Sequence, residues 1–186
     1  MTQPASVTGK ANVLASINDW LTTNVPAAGW TYNFDFALDP AVMPRVDVSE
    51  FNFFDPGDTA IGGVIFPANP LGVTEGKINR LMLQLEIRAD GSQQTNALQL
   101  VRQLRDQFVY ALINAGVGRD NAPPNSAPIM PPIIVKDGSG TSTNTAVRVQ
   151  TEADNHLLEN FHVPKPPETL IFYYQLLFKM EWFELR

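Results

Sequence analysis

Residues 80–115 hold the feature that most constrains this chain, a change of hydrophobic period from two to about 3.6 within one short stretch. Leu81, Leu83, Leu85 and Ile87 alternate with Arg80, Met82, Gln84, Glu86 and Arg88, the pattern of a strand with one face in the core. Ala89-Asp90-Gly91-Ser92 breaks the alternation. Ala97, Leu100, Val101, Leu104, Phe108, Leu112 and Ala115 then recur three or four apart, with Gln99, Arg102, Gln103, Arg105 and Asp106 mostly opposite. Ser92 or Asp90 is placed to cap the start of this helix and Gly116 to end it. Burial of each large apolar side chain is worth roughly 1.5–3 kcal/mol, so the helix must lie on a sheet. The stretch predicts an α+β domain.

The flanking segments fit that frame. Val13, Leu14, Ile17, Trp20 and Leu21 form an apolar stripe over residues 10–23, a helix that Thr8 is placed to cap. Residues 31–38 alternate with Tyr32, Phe34, Phe36 and Leu38 on one face, and residues 45–51 alternate again around Val46 and Val48. The short connection predicts an antiparallel hairpin. Residues 133–136 and 146–151 read as the arms of a second hairpin around Asp137-Gly138-Ser139-Gly140. Residues 154–163 read as a strand, with a helical turn over 155–160 as the alternative. In residues 169–185, Phe172, Tyr174, Leu176, Phe178, Met180 and Trp182 make an apolar row at period two, which favours a strand over a helix.

Two stretches are irregular. Residues 52–79 carry Pro56, Pro67 and Pro70 and several glycines among Phe53, Phe54, Ile61, Val64, Ile65 and Phe66. Residues 117–145 crowd five prolines into 123–132. Loops of this length in a compact domain are usually functional or disordered. The apolar content of 52–79 leaves two readings: a local strand near 63–66, or a surface that docks on a partner. At 186 residues with no internal repeat, the chain is expected to be one domain, 1–186.

The search for chemistry finds no constellation. His156 and His162, six apart, match no zinc signature, and Glu152, Asp154 and Glu159 read as a solvated acidic patch. There is no G-x-S-x-G elbow, no phosphate-cradling glycine loop and no cysteine. No enzyme activity and no cofactor are therefore expected. Thirteen Lys and Arg face 19 Asp and Glu, a formal charge of −6 that opposes non-specific adhesion to nucleic acid. Residues 170–185 are the longest strongly apolar stretch, but Gln175, Lys179, Glu181 and Glu184 interrupt them. No membrane span or N-terminal signal is expected.

The order of these elements, with the helix over 11–21, the strand and helix over 80–87 and 95–115 and the closing strand over 172–183, resembles the tail terminator (tail completion) proteins of long-tailed bacteriophages. The resemblance implies a structural virion protein that closes into a ring, hexameric in that family, at the head-proximal end of the tail tube. Its implied partners are further copies of itself, the tail tube protein and a head–tail connector or neck protein. DNA passes through the lumen without specific binding, and no membrane is involved. The implied location is the tail and neck of a siphovirus particle, after synthesis in the host cytoplasm. The alternatives are another ring protein of the same virion, a tube subunit or connector, and, in a different class, a small-ligand-binding or enzyme domain. The expected fold is a mixed, mainly antiparallel sheet packed by the N-terminal and central helices, with two long loops. Expected interface residues are Phe53, Phe54, Ile61, Val64 and Phe66 in the first loop, with Lys179, Glu181 and Phe183 on a closing strand read as a candidate open edge.

Overall fold

The computed structural model describes residues 9–25, 29–34, 43–50, 64–66, 74–117, 127–149, 157–162 and 170–185. The elements are α1 (Lys10–Asn24), β1 (Thr31–Phe34), β2 (Arg45–Glu50), β3 (Val64–Phe66), β4 (Thr74–Asp90), α2 (Ala97–Ile113), β5 (Ile133–Lys136), β6 (Ser142–Val149), β7 (Leu157–His162) and β8 (Ile171–Leu185). They form an α+β domain in which the two helices pack on one mixed, mostly antiparallel sheet.

The two long strands are the axis of the sheet. β4 and β8 pair antiparallel from Gly76↔Leu185 to Asp90↔Ile171 without a register break. Shorter strands sit end to end along their outer sides. β2 and β3 share the outer side of β4, and β7 and β6 share the outer side of β8. β1 then extends β2, and β5 extends β6.

Period two delivers one face of this pair to the helices. Leu81, Leu83, Leu85, Ile87 and Ala89 of β4 are buried, as are Leu176, Phe178, Met180 and Trp182 of β8. Against them lie Val101, Leu104, Phe108 and Leu112 of α2 and Val13, Ile17 and Leu21 of α1, all in one contiguous core. Neither helix has a side-chain N-cap, an acidic first turn or a basic last turn. The helix starts at Gly9 and Asn96 rather than at the expected Thr8 and Ser92 or Asp90 caps; the Asp90 carboxylate instead accepts from the Ser92 amide and hydroxyl. Burial, not capping, therefore holds both helices. Gly116 does stop the second one: its φ of +73° suits glycine, and an added Cβ would lie 3.2 Å from Pro132.

Other expectations need correction. β1 and β2 pair in parallel, Thr31↔Arg45 to Phe34↔Val48, not as a hairpin. Alternation is blind to strand direction, so only the short connection had argued for a hairpin. β8 is the strand expected from its aromatic row, but it lies inside the sheet with partners on both sides, so it is not an open edge. β4 begins six residues before the expected Arg80, at Thr74, and the short strand near 63–66 forms as β3.

Leu104, 3% exposed at the interface of α2 with the sheet, is the sharpest test of this packing. Leu104→Asp buries an unpaired carboxylate there, and its thermal melt is expected to lose the cooperative transition; a wild-type melt would refute the assigned helix face. Tyr32 gives a second test. Its hydroxyl donates to the Val25 carbonyl at 2.7 Å, and burial pushes its ionisation far above the ordinary tyrosine value. The unfolded chain ionises this phenol above about pH 10 while the folded chain keeps it protonated. Stability is thus full below that value and falls as pH rises beyond it. Tyr32→Phe is expected to flatten this alkaline loss, at a cost of about 1 kcal/mol at neutral pH, as read by denaturant melts at pH 7 and pH 11.

Candidate interaction surface

The face of the sheet turned away from the helices is built from the other half of each alternation. Register aligns its residues in rows across the strands. One row runs Thr31–Arg45–Arg88–Tyr173–His162 and the next Asn33–Asp47–Glu86–Gln175–Asn160. Ser49, Gln84 and Leu177 follow, then Met82 with Lys179, then Arg80, Glu181 and Arg148.

The first two rows form a buried ionic network. Asp47, 1% exposed, accepts from Arg45 Nε at 3.0 Å and lies 3.3 Å from Arg88 Nε. The Asn33 amide donates to its other oxygen. Glu86 pairs with Arg88 and accepts from Gln84 Nε2 at 2.7 Å and from Gln175 Nε2 at 3.4 Å. Tyr173 holds the far end, with the Arg88 guanidinium 5.8 Å from its ring centre and His162 stacked at 5.0 Å. Two cations thus balance two carboxylates, and each carboxylate oxygen has a donor or a cation within reach, the condition under which buried charge is tolerated.

The expected interface residues fall in different places. Phe53, Phe54 and Ile61 lie outside the described residues, as do His156, Glu152 and Asp154. Val64 and Phe66 lie on β3, opposite Gly76 and Thr74, and Phe183 lies opposite Ile78 in the β4–β8 ladder. Lys179 and Glu181 are half-buried on the polar face. Glu181 accepts from Arg148 at 2.8 Å and stands 4.0 Å from Arg80. The structure therefore brings Glu181 together with Arg80 and Arg148, residues that reading each strand alone does not link, while Lys179 stands opposite Met82. It also buries Asp47, Gln84 and Glu86, which alternation alone marks as solvent-facing; only the cross-strand register reveals their partners.

On the helix side, a groove of about 260 Å³ separates the end of α1 from α2, with Val25, Tyr110 and Met130 in its wall. A second, of about 190 Å³, lies between α1 and β5 beside the Lys136–Asp19 ion pair. At the tip of the β5–β6 hairpin, the Ser139 hydroxyl and then the Thr141 amide hold the Asp137 carboxyl below its usual range. This is a turn closed on itself. Among the described residues no group of three or more His, Asp or Glu is placed to hold a metal, and no helix is long and apolar enough to cross a membrane. No protein-family model matches the chain, and no curated protein matches it.

The network makes a quantitative prediction. Asp47→Ala leaves Arg45 and Arg88 without their shared counter-charge and is expected to cost about 3–5 kcal/mol. Asp106→Ala removes a carboxylate that is 72% exposed and paired only with Arg105 in the described ion pairs, and is expected to cost no more than about 1 kcal/mol. Urea melts of the two variants side by side check the contrast; equal costs would show that the network contributes no more than a surface pair.

Proposed function

We propose that this chain is a structural virion protein that forms a ring at the head-proximal end of a phage tail tube, ends tube growth and joins the tail to the neck. The reading rests on the resemblance carried by α1, the β4–α2 unit and the closing β8, each of which forms as the expected type of element. The observation that carries it furthest is the one-sided layering. Both helices cover one face of the sheet, and the other face carries ordered rows of charge. Among the described residues those rows hold Arg45, Arg80, Arg88, Arg148 and Lys179 against Asp47, Glu86, Asp90 and Glu181. Among the described residues, cations and carboxylates on this face are therefore close to balance. The formal charge of −6 is compatible with a conduit through which DNA slides, since a strongly basic protein would bind its cargo.

Within the same virion, a tube subunit must stack on itself and a terminator must not. Purified chain that polymerises into long tubes in negative stain would favour the tube-subunit reading. Removal of the gene gives the direct functional test. The expected result is filled heads unjoined to tails, with tails of uncontrolled length. Normal, joined particles would refute the proposal.

A further inference from the structure

We infer that the outer edge of β1 on one copy pairs antiparallel with the outer edge of β7 on a second copy of this chain, which continues the sheet from subunit to subunit. This rests on the ring reading above and names the strands that make the contact.

The two outer sides of the sheet are treated differently. β5 is covered by α1: Ser16 Oγ accepts the Lys136 amide at 2.8 Å, and Trp20 Nε1 donates to the Pro131 carbonyl at 3.0 Å. A bulge and Pro131-Pro132 further blunt that edge. β1 has none of these guards. Its sequence is Thr-Tyr-Asn-Phe, without charge, proline or bulge, and among the described residues no strand pairs with its outer side or with that of β7.

The backbone phase of the two edges matches. The Thr31 amide donates to the Pro44 carbonyl, so Thr31 and Asn33 use their backbone groups toward β2, and Tyr32 and Phe34 aim theirs outward. The unbroken registers carry this alternation across the sheet. Arg45 and Asp47 face β4, Ile87 and Leu85 face β8, and Tyr173 and Gln175 face β7. That leaves the backbone groups of Glu159 and Phe161 directed outward from β7. The strand directions match as well. β1 runs with β2, against β4, with β8 and against β7. Copies related by rotation about an axis along the strands therefore meet β1 to β7 in antiparallel alignment, the commoner and slightly stronger pairing.

Row continuity sets the register. Extending the two polar rows places Thr31 opposite the partner's His162 and Asn33 opposite the partner's Asn160, with Tyr32 opposite the partner's Phe161. In that register Tyr32 and the partner's Phe161 exchange backbone hydrogen bonds, and their side chains fall on the helix side, where Phe161 already stacks on Tyr174 at 4.2 Å. The contact is heterologous, one edge against a different one, and such contacts repeat until a ring closes.

Because the chain has no cysteine, disulfide trapping is clean. Thr31→Cys with His162→Cys places two thiols at a non-hydrogen-bonded antiparallel position, where the Cα separation of about 4.5 Å suits a disulfide. Oxidised assembled protein is expected to run as a ladder of covalent oligomers that collapses to monomer in reductant. Each single variant, and a control pair of Thr22→Cys with His162→Cys, is expected to stop at dimer. Asn33→Cys with Asn160→Cys repeats the test one row on and serves if the first pair lowers the thermal melt. Rings in negative stain with no ladder from either pair would overturn the β1–β7 contact and leave the ring reading standing. A ladder from chains that never form rings in particles would uphold the contact and sink that reading. Neither rings nor a ladder would sink both.

Discussion

The pairing of β4 with β8 is the interaction on which the rest of the molecule depends. Its length gives four shorter strands a template, two on each side, and its two faces do different work. One face is a continuous apolar surface that fixes both helices, neither of which has the caps that would support it alone. The other carries charge in rows whose ion pairs form only when the register is kept. A slip of one residue would exchange the faces, putting Glu86 and Gln84 under α2 and Leu85 on the polar side. The apolar face thus sets which way each strand points, and the ionic rows penalise every other alignment.

Much of this was legible in the sequence. The shift from period two to period 3.6 marked β4 and α2, and the aromatic row of residues 172–182 marked β8, because both patterns are long enough to exclude the competing period. The stripe from Val13 to Leu21 marked α1 equally well. Strand direction was not legible: the connection from Leu38 to Arg45 looked short enough for a hairpin, yet β1 and β2 run parallel. The position of β8 was missed for a related reason. A strand alternating between an apolar and a mixed face is consistent with an edge or a centre, and only its neighbours decide. Residues 53, 54 and 61, interface candidates by their apolar character in an irregular stretch, fall outside the described residues.

The candidate surface was the least legible part. Asp47 and Arg45 lie on one stretch of sequence and Glu86 and Arg88 on another, and each looks like an ordinary solvated position in its own alternation. Their meaning comes from adjacency across β2 and β4, with Gln175 and Tyr173 added from β8. Lys179 and Glu181 were found by sequence, but as residues of an edge; the structure puts both in the interior of the sheet and gives Glu181 Arg148 and Arg80 as neighbours. The sheet thus combines a helical backing on one face with, on the other, a network in which Asp47 and Glu86 are held by Arg45 and Arg88.

The most direct measurement is a symmetry-resolved cryo-electron reconstruction of the head–tail junction of particles that contain this chain. The expected density is a single closed ring of copies at the top of the tail tube. Copies repeated along the whole tube, or a junction with no copy of the chain, would contradict it.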